Sequence, residues 1–137
     1  MGDDTYLAPV TVRMRDIDFM GHVNNALYAT YLEEARESFY RDAVDASLAE
    51  TDTVLANLEI DYRRPIHADD DVVVALRVDD LGESSIPIEY EIRADGDVAA
   101  TARTVQVLID RERGRSRPLS DEWRTALGEY GAQFDDD

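Results

Sequence analysis

The sequence contains no cysteine and no lysine in its 137 residues. The missing thiols exclude disulfides, thiolate metal sites and a cysteine nucleophile. The missing lysines leave all 14 cations to arginine, against 31 Asp and Glu, for a formal net charge of −17. Such a field repels phosphate backbones and anionic lipid surfaces, so neither nucleic acid nor a membrane is expected as a partner. Also missing is any apolar run near the ~20 residues of a membrane helix. The first residues, Met1-Gly2-Asp3-Asp4-Thr5, are acidic where a secretory leader starts basic and turns apolar, which points to a cytoplasmic protein. There is no internal repeat and no low-complexity stretch beyond the acidic tail Asp135-Asp136-Asp137.

What is present is ample for a core. Hydrophobic residues make up 44%, and the length suits one domain spanning residues 1–137. A large acid excess destabilises a compact fold by self-repulsion, which salt screens. The composition therefore reads as that of a halophilic protein bathed in molar salt, with an ordinary acidic protein as the alternative.

Val10, Val12 and Met14 alternate with Thr11, Arg13 and Arg15, which predicts a half-buried strand. From about Asn24 to Val44 the period becomes helical. Leu27, Tyr28, Tyr31, Leu32, Ala35 and Phe39 fall on one face, with Glu33, Arg36, Glu37 and Arg41 largely on the other. Asn24 is the expected cap, and Glu37 with Arg41 forms a favourable i,i+4 pair. After the polar stretch Asp45 to Asp52, strands are expected from Val54 to Arg63, over Val72 to Val78, over Ile86 to Ile92 and from Val98 to Ile109. Asp95-Gly96 marks a hairpin turn. Pro87 donates no ladder bond, so its strand should start late, bulge or lie at an edge there. Ser120 caps a short final helix ending near Tyr130. Strand, long helix and antiparallel meander together make an α+β domain, with a sheet of about five strands wrapped round one helix.

The chemistry is concentrated between the first strand and the long helix, in Arg15-Asp16-Ile17-Asp18-Phe19-Met20-Gly21-His22-Val23-Asn24-Asn25-Ala26-Leu27-Tyr28. Carboxylates, an imidazole and a helix start with unpaired N–H groups are what acyl transfer needs. Taken singly, Asp16 and Asp18 also suit turns and caps, His22 a structural role, and Asn24 and Asn25 a helix start. The ordered combination is more specific than its parts.

That combination, Asp-x-Asp-x-x-Gly-His-Val-Asn-Asn-x-x-Tyr ahead of a long helix, resembles the hotdog-fold acyl-CoA thioesterases. The branch it is most similar to is the 4-hydroxybenzoyl-CoA thioesterase-like one, itself similar to acyl-carrier-protein thioesterases. Tyr62-Arg63-Arg64-Pro65-Ile66 and the Gly82-Glu83-Ser84-Ser85 hairpin extend the likeness over Val10 to Leu119. The resemblance implies a five-stranded antiparallel sheet curled round the helix. It implies that Asp18 is the catalytic carboxylate, either attacking the thioester or activating water, and that the Asn25 backbone N–H is the oxyanion donor. It places His22 where the carrier-protein thioesterases carry a functional histidine; the Asn those enzymes carry two residues after the Asp is Met20 here. Asp16 then shapes the loop.

For the substrate, the resemblance points to Ser84 and Ser85 in a hairpin that in the aryl-CoA enzyme holds phosphates, although Glu83 stands where a cation is expected. Arg63, Arg64 and Arg103 are further phosphate candidates, each with an ion-pair role as the alternative. Tyr28, Tyr31 and Leu58 are candidates for an acyl-pocket wall, weighed against a core role. No cofactor and no metal site is expected, since a thiolate leaving group requires neither. The likeness implies an acyl-CoA substrate and a homodimer or homotetramer with the site shared across an interface. The competing readings are a thioesterase acting on an acyl carrier protein in place of CoA, a hotdog hydratase, whose Gly-Asp-x-Asn-Pro-x-His pattern is absent, a non-catalytic acyl-binding domain, and a metal site built on Asp-x-Asp and His22.

Overall fold

The helical period beginning at Leu27 builds an 18-residue helix, α1 (Leu27–Val44). The computed structural model of the protein describes residues 4–47 and 50–134; the expected acidic tail at 135–137 lies outside them. Round α1 the alternating segments form β1 (Tyr6–Val10), β2 (Thr53–Tyr62), β3 (Val72–Val78), β4 (Ser85–Ala94), β5 (Asp97–Asp110) and the two-residue β6 (Arg115–Ser116), followed by α2 (Asp121–Gly128). The main sheet is antiparallel in the order β1-β3-β4-β5-β2, with β6 beside β5. The β4–β5 turn has Asp95 at φ 49 and Gly96 at φ 85, the pair of positive angles that a tight hairpin requires.

The core lies between α1 and one face of the sheet. Tyr28, Tyr31, Leu32, Ala35, Phe39 and Tyr40 meet Val72, Val74 and Leu76 of β3 and Ile86, Ile88, Tyr90 and Ile92 of β4, all buried. Each fully buried Leu, Ile or Phe among them contributes roughly 1.5–3 kcal/mol of transfer free energy. Glu37 and Arg41 form the expected pair, 3.0 Å apart. Ser120 caps α2 by accepting from the Trp123 N–H at 3.1 Å.

Several local expectations are corrected. The first strand is Tyr6–Val10, four residues before the predicted alternation ends; Val12 follows it and Met14 opens a 3₁₀ turn with its side chain exposed. Pairing with Val72–Leu76 of β3 decides this register, and the later alternation has no partner strand to join. The regular helix starts at Leu27, because Asn24 spends its side chain on the Ala26 N–H (2.9 Å) in a turn ahead of it. Arg36, placed on the polar face by its spacing, is only 4% exposed. Pro87 sits in a central strand, at the end of the β3–β4 ladder: its carbonyl accepts from Asp79 N–H at 2.9 Å, and its missing donor faces the position where β3 stops.

β2 is the last strand of the sheet on its side and carries exposed apolar residues, Val54, Leu55, Leu58 and Tyr62. A bulge between Leu55 and Asn57 shifts its register.

Candidate active site

The loop between β1 and α1 is held as a small closed unit. Asp16 is buried and accepts from the Arg13 N–H at 2.9 Å and the Tyr31 hydroxyl at 2.8 Å, both on Oδ2. Its carbonyl accepts from the Asn24 N–H at 2.8 Å, which ties the two arms of the loop together. Ile17 bridges Val23, and the Asp18 N–H donates to the His22 carbonyl at 2.8 Å. Gly21, at φ 83, makes the reversal between them, a conformation that costs an L side chain about 1–2 kcal/mol. Val23 N–H donates to the Ile66 carbonyl at 2.8 Å, which fixes the loop to the segment after β2.

On this frame Asp18 is half-buried. Its Oδ1 accepts from the N–H groups of Met20 (2.9 Å) and His22 (3.3 Å), and among the described residues its Oδ2 has no donor. The carboxylate is therefore oriented by the backbone through one oxygen and free at the other. Asn25, exposed at the entry to α1, accepts on its carbonyl from the Tyr28 N–H (3.3 Å) and the Tyr62 hydroxyl (2.9 Å). Its own N–H has no acceptor among the described residues. It sits at the positive end of the α1 dipole, where an N–H is preorganised for developing negative charge.

His22 is joined by a residue that the sequence reading passed over. His67 forms an isolated bridge with His22, and the two rings meet edge to face with centroids 5.0 Å apart. His67 accepts no role from a motif, but the chain has only two histidines, and both are here. Asp70 accepts from the His67 N–H at 2.8 Å and lies 3.6 Å from its ring nitrogen. Among the described residues no group of His, Asp and Glu is arranged to hold a metal ion.

The substrate candidates are distributed unevenly. Tyr28 and Tyr31 are core residues, each 1% exposed, while Leu58 is 40% exposed. The Tyr28 hydroxyl donates to the Arg64 carbonyl at 3.3 Å, and its ring packs against Tyr62 at 4.9 Å. Burial and the charge that Tyr62 would carry raise the Tyr28 pKa, so its hydroxyl stays a donor. Arg63 follows Tyr62, is exposed, and has no side-chain partner among the described residues. Arg64 pairs with Asp97 at 3.1 Å, and Arg103 reaches Asp79 at 4.0 Å. Ser84 and Ser85 lie at the other end of the sheet: Ser85 pairs with Val107, whereas Tyr62 pairs with Ala100, about 23 Å away along β5. The Ser85 Oγ is folded over Gly82, filling the space a Cβ there would need. Within one chain the two serines are not brought to Asp18.

A sequence profile described as the thioesterase-like superfamily matches residues 12–127. The chain belongs to that superfamily, and its class is that of a thioester hydrolase with the hotdog fold. Among curated proteins it is 30% identical over 123 residues to the long-chain acyl-CoA thioesterase FadM of Escherichia coli, covering 86% of this chain and 93% of that one. It is 25% identical over 119 residues to a 1,4-dihydroxy-2-naphthoyl-CoA hydrolase of Synechococcus elongatus, covering 79% of this chain and 84% of that one. Among solved structures, a thioesterase of Thermus thermophilus complexed with coenzyme A and Zn superposes with a TM-score of 0.80 at 38% identity, covering 88% of this chain and 90% of the other.

Proposed function

We propose that the protein hydrolyses acyl-CoA thioesters, with Asp18 as the reacting carboxylate and the Asn25 N–H as the oxyanion donor. The observation that carries this reading is that one fixed loop holds two groups with no partner among the described residues: the Asp18 Oδ2 and the Asn25 N–H. The thioester carbonyl oxygen receives the Asn25 N–H. In the nucleophilic route an Asp18 oxygen bonds to the carbonyl carbon, the C–S bond breaks, CoA leaves as thiolate, and water then hydrolyses the mixed anhydride. In the general-base route Asp18 takes a proton from water, whose oxygen bonds to the same carbon; the C–S bond then breaks and CoA leaves as thiolate, which the Asp18 proton or solvent neutralises. His22, beside the site, orients the carbonyl or the water.

The coenzyme A named with the Thermus thermophilus thioesterase supports CoA as the carrier. The Asp-x-Asp loop supports placement in the 4-hydroxybenzoyl-CoA thioesterase-like branch. The reading includes a homodimer, and tetramers of it, formed through the free edge of β2. An antiparallel pairing of β2 with its copy puts the Thr53 end of one sheet beside the Tyr62 end of the other. Ser84, whose carbonyl accepts from the Leu108 N–H at 3.0 Å, belongs to the Thr53 end. The partner subunit's Ser84 and Ser85 then approach this chain's Asn25 and Arg63, where they bind the CoA moiety. The acid surface supports a halophilic, cytoplasmic protein. No helix among the described residues is long and apolar enough to cross a membrane.

The test is thiol release from a panel of aryl, short-chain and long-chain acyl-CoA esters in molar salt, with a single turnover in ¹⁸O-water. Thiol release is expected; label in Asp18 marks the nucleophilic route, whereas label confined to the product acid is given both by the general base and by water adding to the acyl carbon of the anhydride, which hydroxylamine trapping of the anhydride distinguishes. Binding without release from any thioester supports a non-catalytic acyl-binding domain instead.

A further inference from the structure

The backbone of His22 is tied down and its ring is not. The N–H donates to Asp18 Oδ1 at 3.3 Å, and the carbonyl accepts from the Asp18 N–H at 2.8 Å. Among the described residues neither ring nitrogen meets a donor or an acceptor, and the ring's aromatic contact is with His67. A working imidazole is ordinarily aimed by a hydrogen bond at its second nitrogen. Here a neighbouring ring stands where that hydrogen bond is missing.

The backbone dictates that the two rings meet. Val23 N–H donates to the Ile66 carbonyl at 2.8 Å, and His22 and His67 form an antiparallel bridge. Residues directly opposite each other in an antiparallel pair carry their side chains on one face. The rings accordingly lie 5.0 Å apart at an interplanar angle of 84°, the edge-to-face arrangement that aromatic pairs prefer. His67 itself is anchored from both sides. Ile66 before it is 0% exposed. After it the Asp70 N–H donates to the His67 carbonyl at 3.1 Å, while Asp70 Oδ2 accepts from the His67 N–H at 2.8 Å and lies 3.6 Å from Nδ1. An anchored ring thus rests against one that is otherwise free to turn. The His67 side chain is 53% exposed, so its removal opens no cavity in the core.

We propose that His67 is a positioning residue for His22, its ring fixing the rotamer in which His22 meets the thioester carbonyl or the water. The inference rests on the thioesterase reading, in which His22 acts at that carbonyl.

The experiment follows thiol release by the full chain in molar salt for the wild type, His67→Ala, His67→Phe, His22→Ala and His22→Ala/His67→Ala. His67→Ala should lower kcat about tenfold, within the roughly 100-fold that an ångström of misplacement costs, and leave KM within about twofold. His67→Phe keeps a ring without nitrogen and should restore most of that loss. In the His22→Ala background the same substitution should change kcat less than about twofold, because the group it positions is gone. An undiminished effect in that background overturns the proposal, as does full activity of His67→Ala or of His22→Ala. So does a His67→Phe enzyme as slow as His67→Ala, which would make His67 itself a reacting group.

A second readout needs no turnover. The chain has two histidines, so the single alanine variants assign both rings by NMR. The Hα–Hβ couplings of His22 should report one rotamer in the wild type and in His67→Phe, and an average in His67→Ala. Averaging in the wild type, or one rotamer in all three, overturns the proposal. The expected couplings without cleavage of any thioester leave the positioning contact standing and remove the hydrolase. Cleavage with couplings that do not respond to His67→Ala does the reverse.

Discussion

Asp16 and Asp18 are two residues apart, and the geometry gives them opposite consequences when changed. Asp16→Ala removes the acceptor shared by the Arg13 N–H and the Tyr31 hydroxyl. Tyr31 is 1% exposed, so its hydroxyl is stranded in the core, at a cost of roughly 1–3 kcal/mol. The Arg13 N–H is nearer solvent and recovers water, adding roughly 0.5–1.5 kcal/mol. The total is about 2–4 kcal/mol, or a melting temperature lower by roughly 6–12 °C in a chain of this size. Asp18→Ala releases the N–H groups of Met20 and His22, both near water, and should cost about 1 kcal/mol. Urea unfolding in one fixed salt concentration measures both. The double variant Asp16→Ala/Tyr31→Phe removes donor and acceptor together and should be less destabilised than the sum of its singles. A stability for Asp16→Ala within 0.5 kcal/mol of the wild type, or equal losses for the two single alanine variants, would refute the division of roles.

Alkaline pH tests the buried tyrosines. Desolvation raises the pKa of Tyr40 and Tyr90 most simply, and for Tyr6 and Tyr31 the carboxylates of Asp42 and Asp16 add to it. Above about pH 10 the unfolded chain gives up phenolic protons that the fold keeps, so stability is full below that pH and falls above it, by up to ~1.4 kcal/mol per pH unit per tyrosine; denaturation midpoints at pH 8 to 11.5 measure this. Gly21→Ala and Gly96→Ala each place a side chain at positive φ with no atom within 4 Å of the new Cβ, so each should lose about 1–2 kcal/mol, but Gly21→Ala alone should also lower kcat, through the loop that carries Asp18. Salt should raise the melting temperature steadily from 0.1 M to molar KCl, because it screens the repulsion within a chain of charge −17.

Where local period and burial agree, the residues announced the fold. The helical face of Tyr28, Tyr31, Leu32, Ala35 and Phe39, the alternation of Ile86 to Ile92 and the Asp95-Gly96 turn all depend on neighbours in sequence, and all are present. What depends on distant pairing was not legible. Val10 to Met14 alternates as well as a strand does, but β3 accepts Tyr6–Val10 instead. Arg36 has the spacing of a surface residue but donates inward to the Tyr90 hydroxyl on β4, which in turn shares a hydrogen bond with the Thr104 hydroxyl on β5. The residue pattern alone does not separate Asp16 from Asp18; the resemblance assigns Asp16 to shaping the loop, and the buried Tyr31 hydroxyl on its carboxylate supplies the physical reason. His67 carries no motif, and its place beside His22 comes from a single bridge across 45 residues. The distance of Ser84 and Ser85 from Asp18 follows from sheet order, which composition and spacing do not encode.

The most direct measurement is thiol release from acyl-CoA by the wild type and by Asp18→Asn, a substitution that keeps the side chain's size and its Oδ1 contacts. The account predicts turnover by the wild type and a loss of about 100-fold or more in kcat for Asp18→Asn, with its unfolding midpoint nearly unchanged. Equal turnover by the two proteins would contradict it, because the reacting carboxylate would then lie elsewhere.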